Sequence, residues 1–504
     1  MSVSIINVYE RLCSCEKTNN WDSIPEFLQP KYFHSDENID IRLLAKVAKI
    51  LTNANFKIPR KIQILLLKCL VNCCVKNFKY KPYYLNDGTI SKYETEIYDL
   101  LSDGNNMEKI DKTYPIETHF PLDGVSQWAV DYLLGLIDKE SLTNEELEIL
   151  TQCMQFLSNF VSFACKTSNA PDLEEAPSHL NSEKLKNAIV FLIGHEHMPV
   201  ARAACCFVFN TNHHNDISDT KECEFLKNLI HASRLEINAA LEIINYFIVN
   251  TKNFEQIYEN LSIDDKLYIL QVIHENLLNE TYQSISTEMT KFIIEKFKRK
   301  SDLILKTVDT YLDGMQPMEV MILLDILGVL SSRIDDSISS FLRQDRSLLI
   351  NGLYLLKSIH MVGRETDNYF TPLQKLSDVA PNAQGSSTSK NDFEAHPAYG
   401  FKAGLVRLIG NLAFENEDNQ NFIREEEGIP LLLDCCNIDA RNPLIIQWVI
   451  LAIKNLCSKN ERNQEVIQEC TKIGVVDSST LKEMGLTLHE EEDGKAIGIV
   501  PILL

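Results

Sequence analysis

The sequence predicts an all-α fold, namely an armadillo-type α-solenoid, a right-handed superhelix of two- and three-helix repeats. Three observations predict it: an internal repeat of 44 residues, helical spacing of apolar residues along the chain, and only 18 Gly and 16 Pro among 504 residues. Gly and Pro mark turns, so this composition favours helices over many short strands. A period near 44 is typical of armadillo and HEAT arrays, in which neighbouring repeats bury one another's apolar faces.

The repeat is clearest near the C-terminal end. GLVRLIGNLAFENEDNQNFI, residues 404–423, recurs as WVILAIKNLCSKNERNQEVI, residues 448–467, with eight of twenty positions identical. In each copy, apolar residues at i, i+3, i+4 and i+7 predict one buried stripe of a helix. These residues are Leu405, Leu408, Ile409 and Leu412 in the first copy, and Val449, Ala452, Ile453 and Leu456 in the second.

The segment between the two copies predicts the plan of one repeat. A short first helix follows Asn416 and ends at Gly428, where we expect a positive φ. Pro430 suits the first turn of a second short helix, and Pro443 that of a long third helix. Two short helices and one long helix favour the armadillo plan over the two-helix HEAT plan.

The same helical spacing recurs upstream, and we find no convincing strand pattern. The predicted helical segments are 41–56, 61–76, 144–165, 183–194, 199–210, 223–231, 235–249, 264–278, 285–298, 318–332 and 347–361. Asparagines following apolar residues echo the repeat at Asn72, Asn159, Asn210 and Asn245. We therefore expect the array to extend, in degenerate form, through most of the chain.

Composition predicts the domain boundaries. Residues 378–400 have the Ser- and Pro-bearing composition of a flexible linker. They would separate a degenerate armadillo- or HEAT-like array, residues 1–377, from a compact domain, residues 401–493. Residues 494–504 form an apolar tail.

The net charge of −22 disfavours binding to nucleic acid and to anionic membranes. The apolar run NPLIIQWVILAI has 12 residues, whereas a membrane-spanning helix needs roughly 20. The N-terminus lacks the pattern of a signal peptide. Adjacent cysteines within apolar runs indicate free thiols in a reducing compartment. We expect a soluble, cytoplasmic protein.

Residues 410–467 resemble the C-terminal domain of the ataxin-10 family. The similarity rests on the EGIPLLL turn, the CNID…NP loop and the third helix around WVILAIKNL, and the segment LLLKCLVNCCVKN at 65–77 resembles the family's N-terminal armadillo phrase. The resemblance implies a non-enzymatic scaffold for protein–protein interactions. It further implies roles in cytokinesis, neuron survival, neurite outgrowth and cilium-related signalling, and a location in the cytoplasm, around the nucleus, and at the midbody or cilium base. The implied partners are an O-linked glycosyltransferase and a G-protein β subunit.

Two asparagines shared by the repeats are candidate protein-binding residues. Asn411 and Asn455 lie about 130° from the core stripe on a helical wheel. In armadillo arrays the third helices line a concave groove, where an amide can clamp an extended backbone. The alternative is that each amide binds a neighbouring helix within the array. Arg407 and Leu451 occupy the position at which importin-type grooves carry Trp, so we do not expect nuclear-signal binding, but both remain candidate contacts.

Trp448, one of three tryptophans, is a candidate partner anchor, because tryptophan often dominates interface energies. The alternative is that the terminal segment, residues 476–504, covers it.

Metal binding is a second class of function, as is a purely structural oligomeric subunit, and homo-oligomerisation is left open. The candidate metal ligands are His195, His197, Cys205, Cys206, His213 and His214, with a lesser pair at Cys13 and Cys15, but their spacing matches no familiar zinc pattern. We find no catalytic motif and expect no catalytic residues, metal or cofactor. Open to modification within the predicted linker are Ser386, Ser387, Thr388 and Ser389.

Overall fold

The structure is a computed structural model. It describes residues 5–33, 41–75, 120–139, 141–167, 178–211, 221–251, 253–279, 285–307, 315–333, 337–365, 367–373, 396–437, 439–469, 486–490 and 497–501. The chain divides into two compact units, Met1–Asn260 and Leu261–Leu504. The boundaries predicted near residues 377, 400 and 493 stay predictions, and residues 378–395 of the predicted linker lie outside the described residues.

The N-terminal unit contains ten described α-helices. They are α1 (Ile5–Thr18), α2 (Ile41–Thr52), α3 (Arg60–Val75), α4 (Phe120–Ile137), α5 (Asn144–Thr167), α6 (Glu183–Ile193), α7 (Met198–Thr211), α8 (Glu222–Arg234), α9 (Asn238–Asn250) and α10 (Phe254–Glu259). Short 3-10 helices span Trp21–Glu26, Pro30–Phe33 and Ser178–Asn181.

These helices stack in two layers. In the first layer α3, α5, α7 and α9 pack side by side, and in the second layer α2, α4, α6 and α8 do the same. Each second-layer helix also packs on the first-layer helix that follows it in the chain, as α2 does on α3 and α6 on α7. A helix with one apolar stripe cannot bury that stripe alone, so stacking supplies the core.

A capping box starts α5. The Thr143 Oγ1 accepts from the Glu146 backbone N–H, and the Glu146 carboxylate accepts in return from the Thr143 N–H at 2.9 Å. Arg60 and Lys139 donate to the same carboxylate at 2.7 and 2.8 Å. These hydrogen bonds, led by that from Lys139, lower the pKa of Glu146 to about 2. The sequence TNEE therefore fixes both the helix start and its contact with α3.

The C-terminal unit contains ten more described α-helices and a hairpin. They are α11 (Ile263–Leu278), α12 (Thr287–Lys300), α13 (Met315–Ser332), α14 (Ser337–Gln344), α15 (Arg346–Glu365), α16 (Phe401–Leu412), α17 (Glu417–Glu425), α18 (Gly428–Asp434), α19 (Ile445–Cys457), α20 (Glu461–Glu469), β1 (Leu486–Glu490) and β2 (Ile497–Pro501). A 3-10 helix spans Ser301–Thr307.

The first layer of this unit consists of α11, α13, α16 and α19, packed in that order. The predicted stripe is confirmed except at Ile453, which is half-buried; the other seven residues, including Leu405, Leu408, Val449 and Leu456, are fully buried. A Cβ on Gly410 would lie 2.8 Å from the Cα of Ala452, so glycine lets α16 and α19 approach closely. In this unit α12 packs on α13, α15 on α16 and α18 on α19. The stacking of helices within each unit confirms the predicted armadillo-type α-solenoid.

The three-helix plan of the repeat is also confirmed, as α17, α18 and α19. The residue with positive φ between α17 and α18 is Glu427, at 57°, and not Gly428 as predicted. Gly428 serves close approach instead, because a Cβ there would lie 2.5 Å from the Ile423 Cγ2. Leu444, at φ 61°, precedes α19, which begins two residues after Pro443.

The hairpin differs from our expectation of no strands. β1 and β2 pair antiparallel, with Leu486 opposite Pro501 and Glu490 opposite Ile497. Both are short, and the sequence between them contains Asp493-Gly494, a common hairpin-turn dipeptide. Because the strands lack long alternation of apolar and polar residues, the sequence pattern did not reveal them.

Candidate functional site

Asparagine side chains tie neighbouring first-layer helices together. The Asn159 Nδ2 donates to the Val71 carbonyl at 3.3 Å, and the Asn210 Nδ2 donates to the Ser158 carbonyl at 3.2 Å. The Asn455 Nδ2 donates to the Gly410 carbonyl at 2.9 Å. In all three cases the acceptor immediately precedes the asparagine of the neighbouring first-layer helix, which is Asn72, Asn159 or Asn411. We call this set of bonds the asparagine ladder.

Asn411 extends the ladder to α13. Its Nδ2 donates to the Gly328 carbonyl at 3.4 Å and to the Ser331 Oγ at 3.1 Å. At the start of the N-terminal unit, the Asn72 Nδ2 donates to the Pro30 carbonyl at 3.1 Å. The upstream echoes of the repeat thus mark ladder positions at Asn72, Asn159 and Asn210.

Two further pairs of asparagines shared by the repeats, Asn416/Asn460 and Asn419/Asn463, also bond within the array. Asn416 and Asn460 accept from the backbone N–H three residues later, at 3.0 and 3.1 Å. The Nδ2 of Asn419 and the Nδ2 of Asn463 reach back seven residues to first-layer carbonyls, at 2.9 and 2.8 Å. These four asparagine side chains therefore stabilise the turn between each first-layer helix and the short helix that follows it.

The structure gives the surroundings of Asn411 and Asn455, the residues of the predicted backbone clamp. Both side chains are buried, with 7% exposure each, although the wheel places them away from the core stripe. They lie at the seam between adjacent first-layer helices, where the amide nitrogen already donates within the array. Contact between these amides and a partner stays a prediction.

Arg407 and Trp448 come together on the first layer, one from α16 and one from α19. The Arg407 Cζ lies 5.0 Å from the centroid of the Trp448 ring, within cation–π range. The guanidinium also crosses α13, where a Cβ on Gly328 would lie 3.4 Å from the Arg407 Cζ. The Arg407 Nε is buried and has no hydrogen-bond partner among the residues that the structure describes.

Asp325 of α13 and His274 of α11 continue this face. Burial raises the pKa of the Asp325 carboxyl, and the nearby His274 and Arg407 oppose that shift. Burial lowers the pKa of the Arg407 guanidinium, and Asp325 opposes it. We call His274, Asp325, Arg407, Trp448 and Leu451 the first-layer face.

Our sequence reasoning missed Asp325 and His274, because they lie outside the repeated segments. The available signal was Asp325 itself, a lone carboxylate within the apolar run VMILLDILGVL. Trp448 and Leu451 are half-buried, so part of each side chain is accessible. Whether residues 476–504 cover Trp448 stays untested. On the other side of α19, Ile450 is 61% exposed.

The remaining predicted sites are less informative. The His195 Nδ1 accepts from the His197 backbone N–H at 2.9 Å, while His213 and His214 lie outside the described residues. Within the described ranges, no group of three or more His, Cys, Asp or Glu side chains is placed to hold a metal ion. The serine and threonine candidates, Ser386, Ser387, Thr388 and Ser389, also lie outside those ranges. No helix in the described part of the chain is long and apolar enough to cross a membrane.

The stacked helical layers and the asparagine ladder define the class of protein as an armadillo-type α-solenoid. Residues 401–498 match the family model of the spinocerebellar ataxia type 10 protein domain. Ataxin-10 of Xenopus tropicalis is 33% identical over 264 residues, covering 51% of this chain and 51% of that protein. Ataxin-10 of Homo sapiens is 31% identical over 263 residues, covering 50% and 51%.

An ataxin-10 homolog of Dictyostelium discoideum is 42% identical over 95 residues, covering 19% of this chain and 16% of that protein. Residues 401–498 therefore match the ataxin-10 domain, and about half of the chain is similar to ataxin-10 proteins. The matches to the Xenopus and human relatives span about half the length of each.

Two solved structures resemble the chain more distantly. One is described as "A conserved phosphorylation switch controls the interaction between cadherin and beta-catenin in vitro and in vivo"; it is 13% identical, covers 90% of this chain and 80% of that chain, and has a TM-score of 0.29. The other, Kap121p bound to Ste12p, is 10% identical, covers 88% and 47%, and has a TM-score of 0.27. Such low TM-scores carry no argument about architecture or binding.

Proposed function

We propose that this chain is a non-enzymatic scaffold whose first-layer face binds an extended segment of a partner protein. The observation that carries the proposal is the Arg407–Trp448 pair. A buried guanidinium nitrogen without a partner lies next to a half-buried indole ring. A buried donor left unpaired costs about 1–3 kcal/mol, so an acceptor supplied by a partner would be favoured there.

The partner segment would match two features of this face. A carbonyl or carboxylate oxygen would accept from Arg407, and an apolar side chain would cover the exposed parts of Trp448 and Leu451. Tryptophan and arginine are the residue types that most often dominate binding energy. Asn411 and Asn455 would hold the helices that carry this face at their spacing. The same proposal includes direct contact between a partner and the Asn411 Oδ1 or the Asn455 Oδ1.

The cellular roles belong to the proposal too. Their support is the match of residues 401–498 to the spinocerebellar ataxia type 10 protein domain and the similarity of about half of the chain to ataxin-10 proteins. The proposed processes are cytokinesis, neuron survival, neurite outgrowth and cilium-related signalling, in the cytoplasm, around the nucleus, and at the midbody or cilium base. The proposed partners are an O-linked glycosyltransferase and a G-protein β subunit, with modification at Ser386, Ser387, Thr388 or Ser389.

Site-specific photo-crosslinking tests the binding surface. A photoreactive phenylalanine analogue placed at Leu451 should form adducts with a partner in cells. The same analogue at Ile450 is the matched control. Ile450 also lies on α19 and is 61% exposed, but it faces a different side of the helix from Leu451. Adducts from position 450 with none from position 451 would move the contact surface away from the first-layer face.

A further inference from the structure

A separate cavity of about 260 Å³ lies in the C-terminal unit, next to α15, α16 and α18. Three basic side chains line it: His360 and Arg364 from α15, and Lys402 from α16. Its remaining lining residues are Phe370, Pro372, Asp434, Cys435, Asn437, Asp439 and Ile445. None of these residues belongs to the first-layer face.

The Lys402 ammonium is the deepest charge in the cavity. Its side chain belongs to a residue that is 4% exposed, and its Nζ lies 3.3 Å from the His360 Nδ1. The Cys435 thiol also lies close to this ammonium, which opposes the rise in the thiol's pKa. Burial keeps both partners uncharged, because it lowers the pKa of His360 and raises that of Cys435. Among the described residues no carboxylate forms an ion pair with this ammonium, and a buried charge is stabilised when an anion joins it.

The contact with Lys402 also determines the proton position on His360. An ammonium has three N–H donors and no acceptor, so the Nδ1 of a neutral His360 must accept. The proton then sits on the His360 Nε2, which is buried and has no hydrogen-bond partner among the described residues. The Asp434 Oδ2 lies 3.6 Å from this nitrogen, beyond hydrogen-bond distance.

Arg364 completes the set of donors at the rim. Its Nη1 lies 3.6 Å from the same Asp434 oxygen, and its side chain is 69% exposed. Asp439 contributes little acceptor capacity, because its carboxylate already accepts from Leu373, Arg441 and Asn442. The cavity therefore presents N–H donors from Lys402, His360 and Arg364, and the exposed Asp434 carboxylate competes for them at its edge.

We propose that this cavity binds a carboxylate group. Lys402 and Arg364 carry two positive charges and Asp434 one negative charge, while Arg441 offsets Asp439. A singly charged carboxylate neutralises the surplus, whereas a phosphate dianion leaves a buried negative charge, which is unfavourable. Phe370, Pro372 and Ile445 supply an apolar wall suited to the short aliphatic chain of a carboxylic acid. Such a group could belong to a free acid or to a glutamate side chain.

Nitrogen-15 NMR of histidine side chains, with the full chain, tests the site directly. Titration with propionate should shift the His360 Nε2 resonance in a saturable way, and N-acetylglutamic acid amide should compete. Tighter binding of the glutamate amide identifies a protein side chain as the ligand, and tighter binding of propionate identifies a free acid. The glutamine amide should not bind, because it lacks the charge. Absence of saturation by either acid, or tighter binding of inorganic phosphate, would overturn the proposal.

Charge variants separate binding from structure. Arg364→Gln should weaken propionate binding about fivefold, the value of a solvent-exposed ion pair. Lys402→Met should weaken it by at least about tenfold, with Lys454→Met, exposed on α19, as the matched control. Asp434→Asn should strengthen binding, because it removes the competing carboxylate. If Lys402→Met does not fold, the opposite signs at Arg364 and Asp434 still decide, and equal affinity in both variants would overturn the site.

This inference does not rest on the proposed scaffold function. Arg407→Ala and Trp448→Ala should leave propionate binding unchanged, since neither residue lines the cavity. If propionate binds but no crosslinks form from Leu451, the cavity site is retained and the proposed partner surface is rejected. If crosslinks form from Leu451 but propionate does not bind, the partner surface is retained and the cavity site is rejected.

Discussion

The Nδ2 of Asn455 donates a 2.9 Å hydrogen bond to the carbonyl oxygen of Gly410, the residue just before the equivalent asparagine of the neighbouring helix. The same register joins Asn159 to Val71 and Asn210 to Ser158 in the other unit. The recurring asparagine therefore makes the same hydrogen bond to the neighbouring first-layer helix each time. The ladder sets how first-layer helices align, and unshared residues such as Arg407 and Trp448 are left to specify what the face contacts.

Asn455→Ala should lower the free energy of unfolding of the C-terminal unit by about 1–3 kcal/mol, because it leaves the buried Gly410 carbonyl without its donor. Urea unfolding followed by far-ultraviolet circular dichroism measures the change. Asn250→Ala is the matched control: Asn250 is exposed and bonds only within its own helix, to the Tyr246 carbonyl. Equal stability of the two variants would show that the Asn455–Gly410 hydrogen bond of the ladder does not stabilise the fold.

Gly410→Ala should destabilise the protein by about 1–3 kcal/mol, because the added Cβ would overlap Ala452 and force α16 and α19 apart. Gly135→Ala on α4 is the matched control, since nothing lies within 4 Å of its added Cβ. Alanine's higher helix propensity should make that control neutral or more stable by up to about 1 kcal/mol. Thermal unfolding of both variants tests the close approach, and a neutral Gly410→Ala would contradict it.

His396 should make the C-terminal unit sensitive to mild acid. Its residue is 6% exposed and its ring stacks on Tyr369 with centroids 3.7 Å apart. Burial, assisted by Arg441, lowers its pKa to about 4. The folded state thus favours neutral His396. Its contribution to stability is fully present above the ordinary pKa near 6.5 and is lost as the pH falls toward 4.

Between pH 7 and pH 5.5 this linkage should cost about 1 kcal/mol of stability. Urea unfolding at the two pH values measures it in the wild type and in His396→Phe, which retains a ring to stack on Tyr369. The variant should lose less stability than the wild type over this interval. The same loss in both proteins would assign the pH dependence to other groups.

Much of this architecture could be predicted from apolar spacing. All eleven segments predicted upstream of residue 362 coincide with helices, within a few residues at each end, since a 3.6-residue stripe is a strong local signal. Helices α1, α4, α10 and α14 were missed, and of these α10 and α14 are short, with six and eight residues. In α4, apolar residues surround much of the helix, so no single stripe stands out; for α1 we identify no comparable reason.

The candidate site was less accessible to such reasoning. A helical wheel locates a side chain around one helix but not relative to the next, so Asn411 could not be assigned to a seam or to a groove. The acceptors Gly328 and Ser331 lie about 80 residues upstream, outside the repeat. Asp325 reaches Arg407 only through packing of α13 on α16, a contact that no local pattern encodes.

The most direct test of the central claim is quantitative affinity capture with mass spectrometry on Trp448→Ala. Arg462→Ala, a truncation of an exposed side chain on α20, serves as the control. Trp448→Ala should lose the proteins that both the wild type and Arg462→Ala enrich, while its far-ultraviolet circular dichroism spectrum stays unchanged. An unchanged set of captured proteins from folded Trp448→Ala would contradict the assignment of the first-layer face as the binding surface.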